Sequence, residues 1–480
     1  MLTETEPLDD DDDTDDDGVT YTITSATDTA ADAVTVTLDG IGVGTATENA
    51  NWGVNTLDVA TFETVSISSD TNSAITYEDD GTTVAKAIGK VTANTVDVVT
   101  ATNAKSVVIT GAADLTLTAF NNGTALTSLD ASALDGKLVA EIAAAKTAVK
   151  MGTKDSTITF ASGTLNNEDS VIGGAGTLDK VIAAGITGLT ATTGALTISA
   201  VETVALTTSG DNTLDLSAVT GASTVSVTAN TQTITGLDIV NTTLKVEGDG
   251  GTLKVTAADA TGTADTLSVY TNNSANDNDT LTIEASDIET LALTLEDSQV
   301  TTANTTTYTL TNFKGSAITA TESTAATNTQ SANVALGTVY KTITSIDTSG
   351  MKGTQSASAA NATGSVTFNA GGLGVATLTG GASNDTFTVA ETANVVHDID
   401  GGAGTADVLN LAVTTGFVDV GDITNVETVN VTVKAGTDIT IDGAQEFDSS
   451  VDDITIAGGN SLSTFTAATI HTNIETVDAS

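Results

Sequence analysis

The chain has 480 residues, of which 62 are Asp or Glu and 14 are Lys, giving a formal net charge of −48. There is no Arg and no Cys, so the guanidinium forks and basic patches of nucleic-acid recognition are missing, and so are disulfides and thiol nucleophiles. No run approaches the roughly 18 apolar residues of a membrane-crossing helix, which excludes direct insertion by such a helix.

Met1 to Asp17 holds the acidic run Asp9–Asp13 and lacks a hydrophobic signal core. This leader is expected to be solvated and disordered. From Gly18 onward, short alternating runs such as 34–38, 204–207, 224–228 and 291–295 are separated by Gly, Asn and Asp. Period-two alternation with turn residues about every 10 positions predicts many short strands. The segment 137–151 has the Ala, Glu and Lys content of a helix, but the clean alternation of 223–227 after Gly221 argues for strand there too. Aromatics are 3% of the chain, so the core is expected in thin layers of Val, Leu, Ile and Thr. The predicted fold is therefore all-β, a parallel β-solenoid or β-roll, with a β-sandwich-like arrangement as the alternative for the N-terminal region. Residues 18–160 form that N-terminal region and 161–480 the longer repetitive one.

Three motifs recur. A hydrophobic-Glu-Thr-hydrophobic unit occurs at 62–65, 201–204, 288–291, 426–429 and 474–477, and its fivefold repetition points to a structural glutamate on a strand face. A Leu-Asp-Ala-Ser turn at 129–132 is echoed at 214–221 and 346–353. A Gly-Thr-Xaa-Asp unit at 176–179, 262–265 and 404–407 precedes a Glu-Thr unit each time by roughly 20 residues, the signature of internal duplication. The sequence stops inside a repeat, Ile474 to Ser480, so the chain is expected to continue.

The chemically richest stretches are Gly380-Gly381-Ala382-Ser383-Asn384-Asp385 and Asp398-Ile399-Asp400-Gly401-Gly402-Ala403-Gly404-Thr405-Ala406-Asp407. An earlier counterpart runs from Asp169 through Gly173-Gly174-Ala175-Gly176 to Asp179. Paired glycines are expected to take positive φ and gather carbonyls, with the Asp beyond supplying an anionic oxygen. Calcium, which accepts six to eight oxygens in flexible geometry, is the ion such corners suit. Asp398 and Asp400 are expected to lend ligands from an adjacent turn, and Asp265, Asp277 and Asp279 form a further candidate site.

These stretches resemble the RTX nonapeptide, Gly-Gly-Xaa-Gly-Xaa-Asp-Xaa-hydrophobic-Xaa. Gly380 to Thr388 matches it with Ser383 in place of a glycine, while 401–410 and 173–182 match with one inserted residue. Tandem repetition is absent, so isolated sites within a solenoid are expected. From about Gly18 to its end the chain is similar to RTX-related surface-layer proteins of Gram-negative bacteria. That resemblance implies type I export to the cell exterior through a C-terminal signal, calcium-dependent folding outside the cell, and lattice assembly among copies of itself. An adhesin or biofilm-matrix segment is the alternative, and cell-surface polysaccharide is a further candidate partner.

No active site is expected. His397 and His471 are far apart, His-Glu-Xaa-Xaa-His is missing, and Trp52 is the single tryptophan where a sugar platform would show several. His397 reads as a surface-loop residue.

Overall fold

The computed structural model describes residues 2–5, 19–25, 27, 29–39, 54–71, 75–77, 86–88, 93–190, 196–228, 230–248, 250–273, 279–298, 305–325, 331–370, 375–391, 397–413, 417–418, 422–434, 440–441, 450–458 and 476–479. Among them there is no helix. The chain divides into two units, one of residues 1–227 with 235–242, the other of residues 228–234 with 243–480. The strand pattern runs through residue 160 without a break.

In the first unit, successive strands alternate between two parallel sheets. The strands Ala93–Thr100, Asp114–Asn121, Leu138–Ile142, Thr157–Phe160, Lys180–Ile186 and Thr203–Thr208 pair in that order in one sheet. Between them the chain visits the other, through Ser106–Gly111, Ser128–Leu134, Ala148–Lys150, Ser170–Ile172 and Thr197–Ser199. That alternation is a parallel β-solenoid. The sandwich alternative is not what these strands form: each of them pairs with its equivalent one coil away, and the antiparallel pair Ile75–Tyr77 with Lys86–Ile88 is a local exception. The segment 137–151 is strand, as its neighbours imply, at Leu138–Ile142 and Ala148–Lys150. Leu2–Thr5, within the acidic leader, pairs antiparallel with Val19–Ile23.

The second unit repeats the plan. One sheet runs through Thr266–Asn273, Thr290–Asp297, Ala317–Glu322, Ser345–Gly350, Thr367–Ala370, Thr386–Glu391, Val408–Val413, Thr428–Val433 and Asp453–Gly458. The other runs through Gly251–Ala257, Asp279–Ala285, Thr305–Thr311, Asn333–Thr338, Gln355–Ser358, Ala376–Thr379 and Asp398–Asp400.

Period-two alternation explains the core. Side chains on a strand point to opposite faces, so every second residue enters the coil. In-register pairing then stacks equivalent residues into columns. Ile158, Val181, Val204 and Val225 form one such column in the first unit, all at most 1% exposed. Leu291, Ile318, Ile346, Phe368, Phe387 and Leu409 form another in the second. Phe368 and Phe387 stack with ring centroids 4.8 Å apart. Burying each aliphatic residue contributes about 1.5–3 kcal/mol, so many thin layers replace one large core.

Leu-Asp-Ala-Ser marks a bend in the strand. The Asp130 carboxylate accepts from the Ser132 N–H at 3.0 Å and from its hydroxyl at 2.5 Å, and the strand register shifts between Asp130 and Ala133. Asp215 and Asp347 bond Ser217 N–H and Ser349 N–H in the same way. The Ser132 hydroxyl and the Lys150 ammonium hold Asp130 below the usual carboxylate range.

Candidate metal centre

The Gly-Thr-Xaa-Asp and Glu-Thr motifs prove to be two halves of one corner. Asp179 is fully buried. Its Oδ1 accepts the Ser156 N–H of the preceding coil at 2.7 Å, and its Oδ2 accepts the Gly174 N–H of its own turn at 2.9 Å. Its own N–H donates to Glu202 Oε2 at 2.7 Å, and its carbonyl accepts the N–H groups of Glu202 and Thr203. Asp179 and Glu202 are 23 residues apart, one coil. The same cap joins Asp265 to Glu289 at 2.9 Å and Asp407 to Glu427 at 2.7 Å. Asp32 and Glu63 form a fourth, at 3.0 Å. The repeated glutamate therefore sits at the corner below an aspartate, where it holds the backbone of the neighbouring coil, and its part is not played on a strand face.

At most of the predicted positions the carboxylates are satisfied by amides. Asp385 is 1% exposed, with Oδ1 on the Val366 N–H and Oδ2 on the Gly381 N–H, both at 2.6 Å. Asp169, equally buried, accepts from the Thr147 and Asn166 N–H groups at 2.6 and 2.8 Å. Asp265 accepts the Gly262 N–H at 3.0 Å. Burial pushes Asp169, Asp179 and Asp385 above the usual carboxylate range, because the amide bonds only partly replace lost hydration. Asn384 accepts the Thr405 N–H at 3.1 Å, and the exposed Asp398 accepts the Asp422 N–H at 3.2 Å. Asp400 takes the Gly402 N–H at 3.0 Å and the Asn425 side-chain amide at 2.8 Å. Asp279 is buried in the opposite sheet, where its charge bears on the fully buried Tyr308 hydroxyl. Asp277 lies outside the described residues.

The glycines do a different job from the one their pairing suggests. Of Gly173, Gly174, Gly176, Gly380, Gly381, Gly401, Gly402 and Gly404, only Gly402 has positive φ, at 94°. The pairs exist because the neighbouring coil's backbone lies against them. A Cβ on Gly174 would fall 1.4 Å from the Gly152 carbonyl oxygen, and one on Gly401 would fall 1.8 Å from that of Asn425. The turn carbonyls are engaged as well, with Gly381 O accepting the Ala403 N–H at 2.9 Å and Asp400 O accepting the Gly380 N–H at 2.7 Å.

Asp407 is the exception. It is fully buried, and while Oδ1 accepts the Asp385 N–H at 2.5 Å, Oδ2 has no hydrogen-bond partner. That oxygen lies in the 401–404 turn, where a Cβ on Gly404 would meet it at 2.4 Å. Burial, together with the charges of Glu427, Asp385 and Asp400, pushes the Asp407 carboxyl up to about 6. A buried carboxylate oxygen without a partner, under the negative potential of Glu427, Asp385 and Asp400, attracts a cation. Calcium nevertheless needs six to eight oxygens, and among the described residues no three acidic or His side chains converge to hold an ion. Of the predicted positions, the 400–407 turn is the one that leaves a buried carboxylate oxygen without a hydrogen-bond partner, and the described side chains there do not by themselves make up a calcium coordination shell. The other corners are closed by amides.

His397 is not at the surface. It is fully buried, its Nδ1 accepting the Ala376 N–H at 3.1 Å, and burial lowers its proton affinity. A second polar network, not anticipated from the sequence, joins the strands of the second unit. The Tyr270 hydroxyl bonds Glu296 and, at 3.0 Å, Ser323, and burial with the Glu296 bond raises it to about 12. Nearby in the same sheet Glu322, buried, accepts the Lys352 N–H at 3.0 Å. Glu296 and Asp297 break the alternation of their strand by both being buried, a signal visible only once the corner is located.

The chain matches no protein-family model, no curated protein and no solved structure.

Proposed function

We propose that the chain is a structural, non-enzymatic component of a bacterial cell exterior, a surface-layer or extracellular-filament solenoid that is secreted, requires calcium and assembles with copies of itself. The observation that carries this reading is the use of the acids. Carboxylates that would arm a catalytic site instead cap the backbone from coil to coil, at Asp179–Glu202, Asp265–Glu289 and Asp407–Glu427. The resemblance to RTX-related surface-layer proteins supports the same reading, as does a net charge of −48 that divalent cations offset most effectively. The residue to hold calcium is Asp407, with Asp400, Asp385 and Glu427 adding negative potential; bound there, the ion would neutralise a buried charge that is otherwise unpaired.

The test is a comparison of the purified chain in EGTA and in millimolar calcium. Calcium is expected to raise the melting temperature by several degrees and to drive sedimentation to larger species, and EGTA to reverse both. An unchanged melt together with a monomer under both conditions would overturn the proposal.

A further inference from the structure

The larger sheet of the second unit turns outward a face unlike the rest of this polyanion. Its middle column runs in register through Thr319, Asp347, Asn369, Thr388, Asn410 and Asn430. Asn430 donates to Asn410 at 3.0 Å and Asn369 to Asp347 at 3.4 Å, so these amides form rungs of a ladder. The columns on either side, over the described residues of the same strands, hold Thr, Ser, Ala, Val and Gly. Among the described residues, Asp347 is the single charge in those three columns between Thr290–Asp297 and Thr428–Val433.

Other outward faces carry charge at shorter intervals. The smaller sheet of the same unit is uncharged over only four strands, Thr305–Thr311 to Ala376–Thr379, between Glu284 on one side and Asp398 and Asp400 on the other. The larger sheet of the first unit presents Asp97, Glu141 and Lys180. The larger sheet of the second unit thus has the longest outward run with so little charge on a chain whose net charge is −48.

We infer that this face is where a second copy of the chain docks, face to face about a two-fold axis; the inference rests on the self-assembly reading and names its contact surface. Two copies of so acidic a chain repel each other least where neither carries charge. The side chains are short and of nearly uniform height, so two such sheets can approach to about the 10 Å of stacked sheets, with Thr methyls and Asn amides interleaved. With rungs about 4.8 Å apart, the face from Thr290–Asp297 to Thr428–Val433 offers on the order of 600 Å² per copy, at the lower end of the roughly 600–1,000 Å² per partner of a stable interface. A two-fold contact is self-complementary, so one patch suffices. The face has no aromatic platform along its middle column, which sets a second copy above a glycan as its occupant.

The experiment uses the full chain in millimolar calcium, read by sedimentation velocity, with circular dichroism as the check on folding. Asn410→Glu and Asn410→Lys each place a charge at the centre of the contact and are expected to weaken association at least tenfold. Thr377→Glu, on the outward face of the smaller sheet, is expected to leave it unchanged. The lysine variant keeps the test open should the added acid impair folding. If the unaltered chain assembles and both Asn410 variants assemble equally well, the face is wrong while self-assembly stands. If the unaltered chain stays monomeric, both readings fall; binding of a neutral polysaccharide by that monomer, abolished in Asn410→Glu, would reassign the face to sugar.

Discussion

At Asp179 one residue makes five hydrogen bonds through its side chain, N–H and carbonyl, to Ser156, Gly174, Glu202 and Thr203. Removing the Glu202 carboxylate leaves the Asp179 N–H buried without an acceptor, a loss worth about 1–3 kcal/mol. Glu202→Ala is therefore expected to lower stability by that amount, and Glu202→Gln, which keeps an acceptor oxygen, to recover most of it in denaturant titrations. Asp407 makes a second, pH-dependent prediction. Its folded value is raised from 3.8 to about 6, so the stability it contributes is fully present below 3.8 and is lost as the pH rises through about 6. Without calcium, the unaltered chain should lose stability between about pH 4 and pH 7 relative to Asp407→Asn, whose side chain stays neutral; melts across that range give the difference. His397, lowered by burial, acts in the opposite sense, losing stability as the pH falls, and is common to both chains. The sequence pointed to Asp407 by its glycine turn and linked it to Glu427 by spacing. It could not show which oxygen of Asp407 lacks a partner, because that depends on Asp385, a full coil away.

Strands were readable because their signal is local. Alternation at 203–208 or 290–295 needs no knowledge of the neighbouring coil, and neither does the absence of a helix at 137–151 once the flanking alternation is weighed. The glycine pairs were misread for the converse reason. A tight turn and a crowded one have the same sequence, and only the coil stacked against Gly174 distinguishes them. The prediction follows from the crowding: Gly174→Ala, whose Cβ would meet the Gly152 carbonyl at 1.4 Å, should destabilise by about 2–4 kcal/mol. Gly364→Ala, with nothing within 4 Å of the added carbon, should be close to neutral. Thermal melts of the pair provide the comparison. The buried His397 was missed on similar grounds, since a histidine beside Asp398 reads as solvated until the backbone of Ala376 is placed against it.

For the chain as a whole, acidity has two physical origins that composition merges. Some carboxylates are buried structural caps, such as Asp179, Asp385 and Asp407, while others, such as Asp398, stand in solvent. Monovalent salt screens the second kind over a Debye length of about 10 Å at 0.1 M and acts little on the first. The calcium increment in melting temperature should accordingly persist in high sodium chloride, whereas a chain whose acids serve solvation alone would respond to sodium as it does to calcium.

Each corner cap reaches across one coil, from the carboxylate of the later turn to the peptide of the earlier. Excising 386–407 would bring Glu427 to the position beneath Asp385 that Asp407 now fills, an equivalent acceptor for the same N–H. Loss of that whole turn is thereby a gentle change, because the junction it leaves is chemically the same.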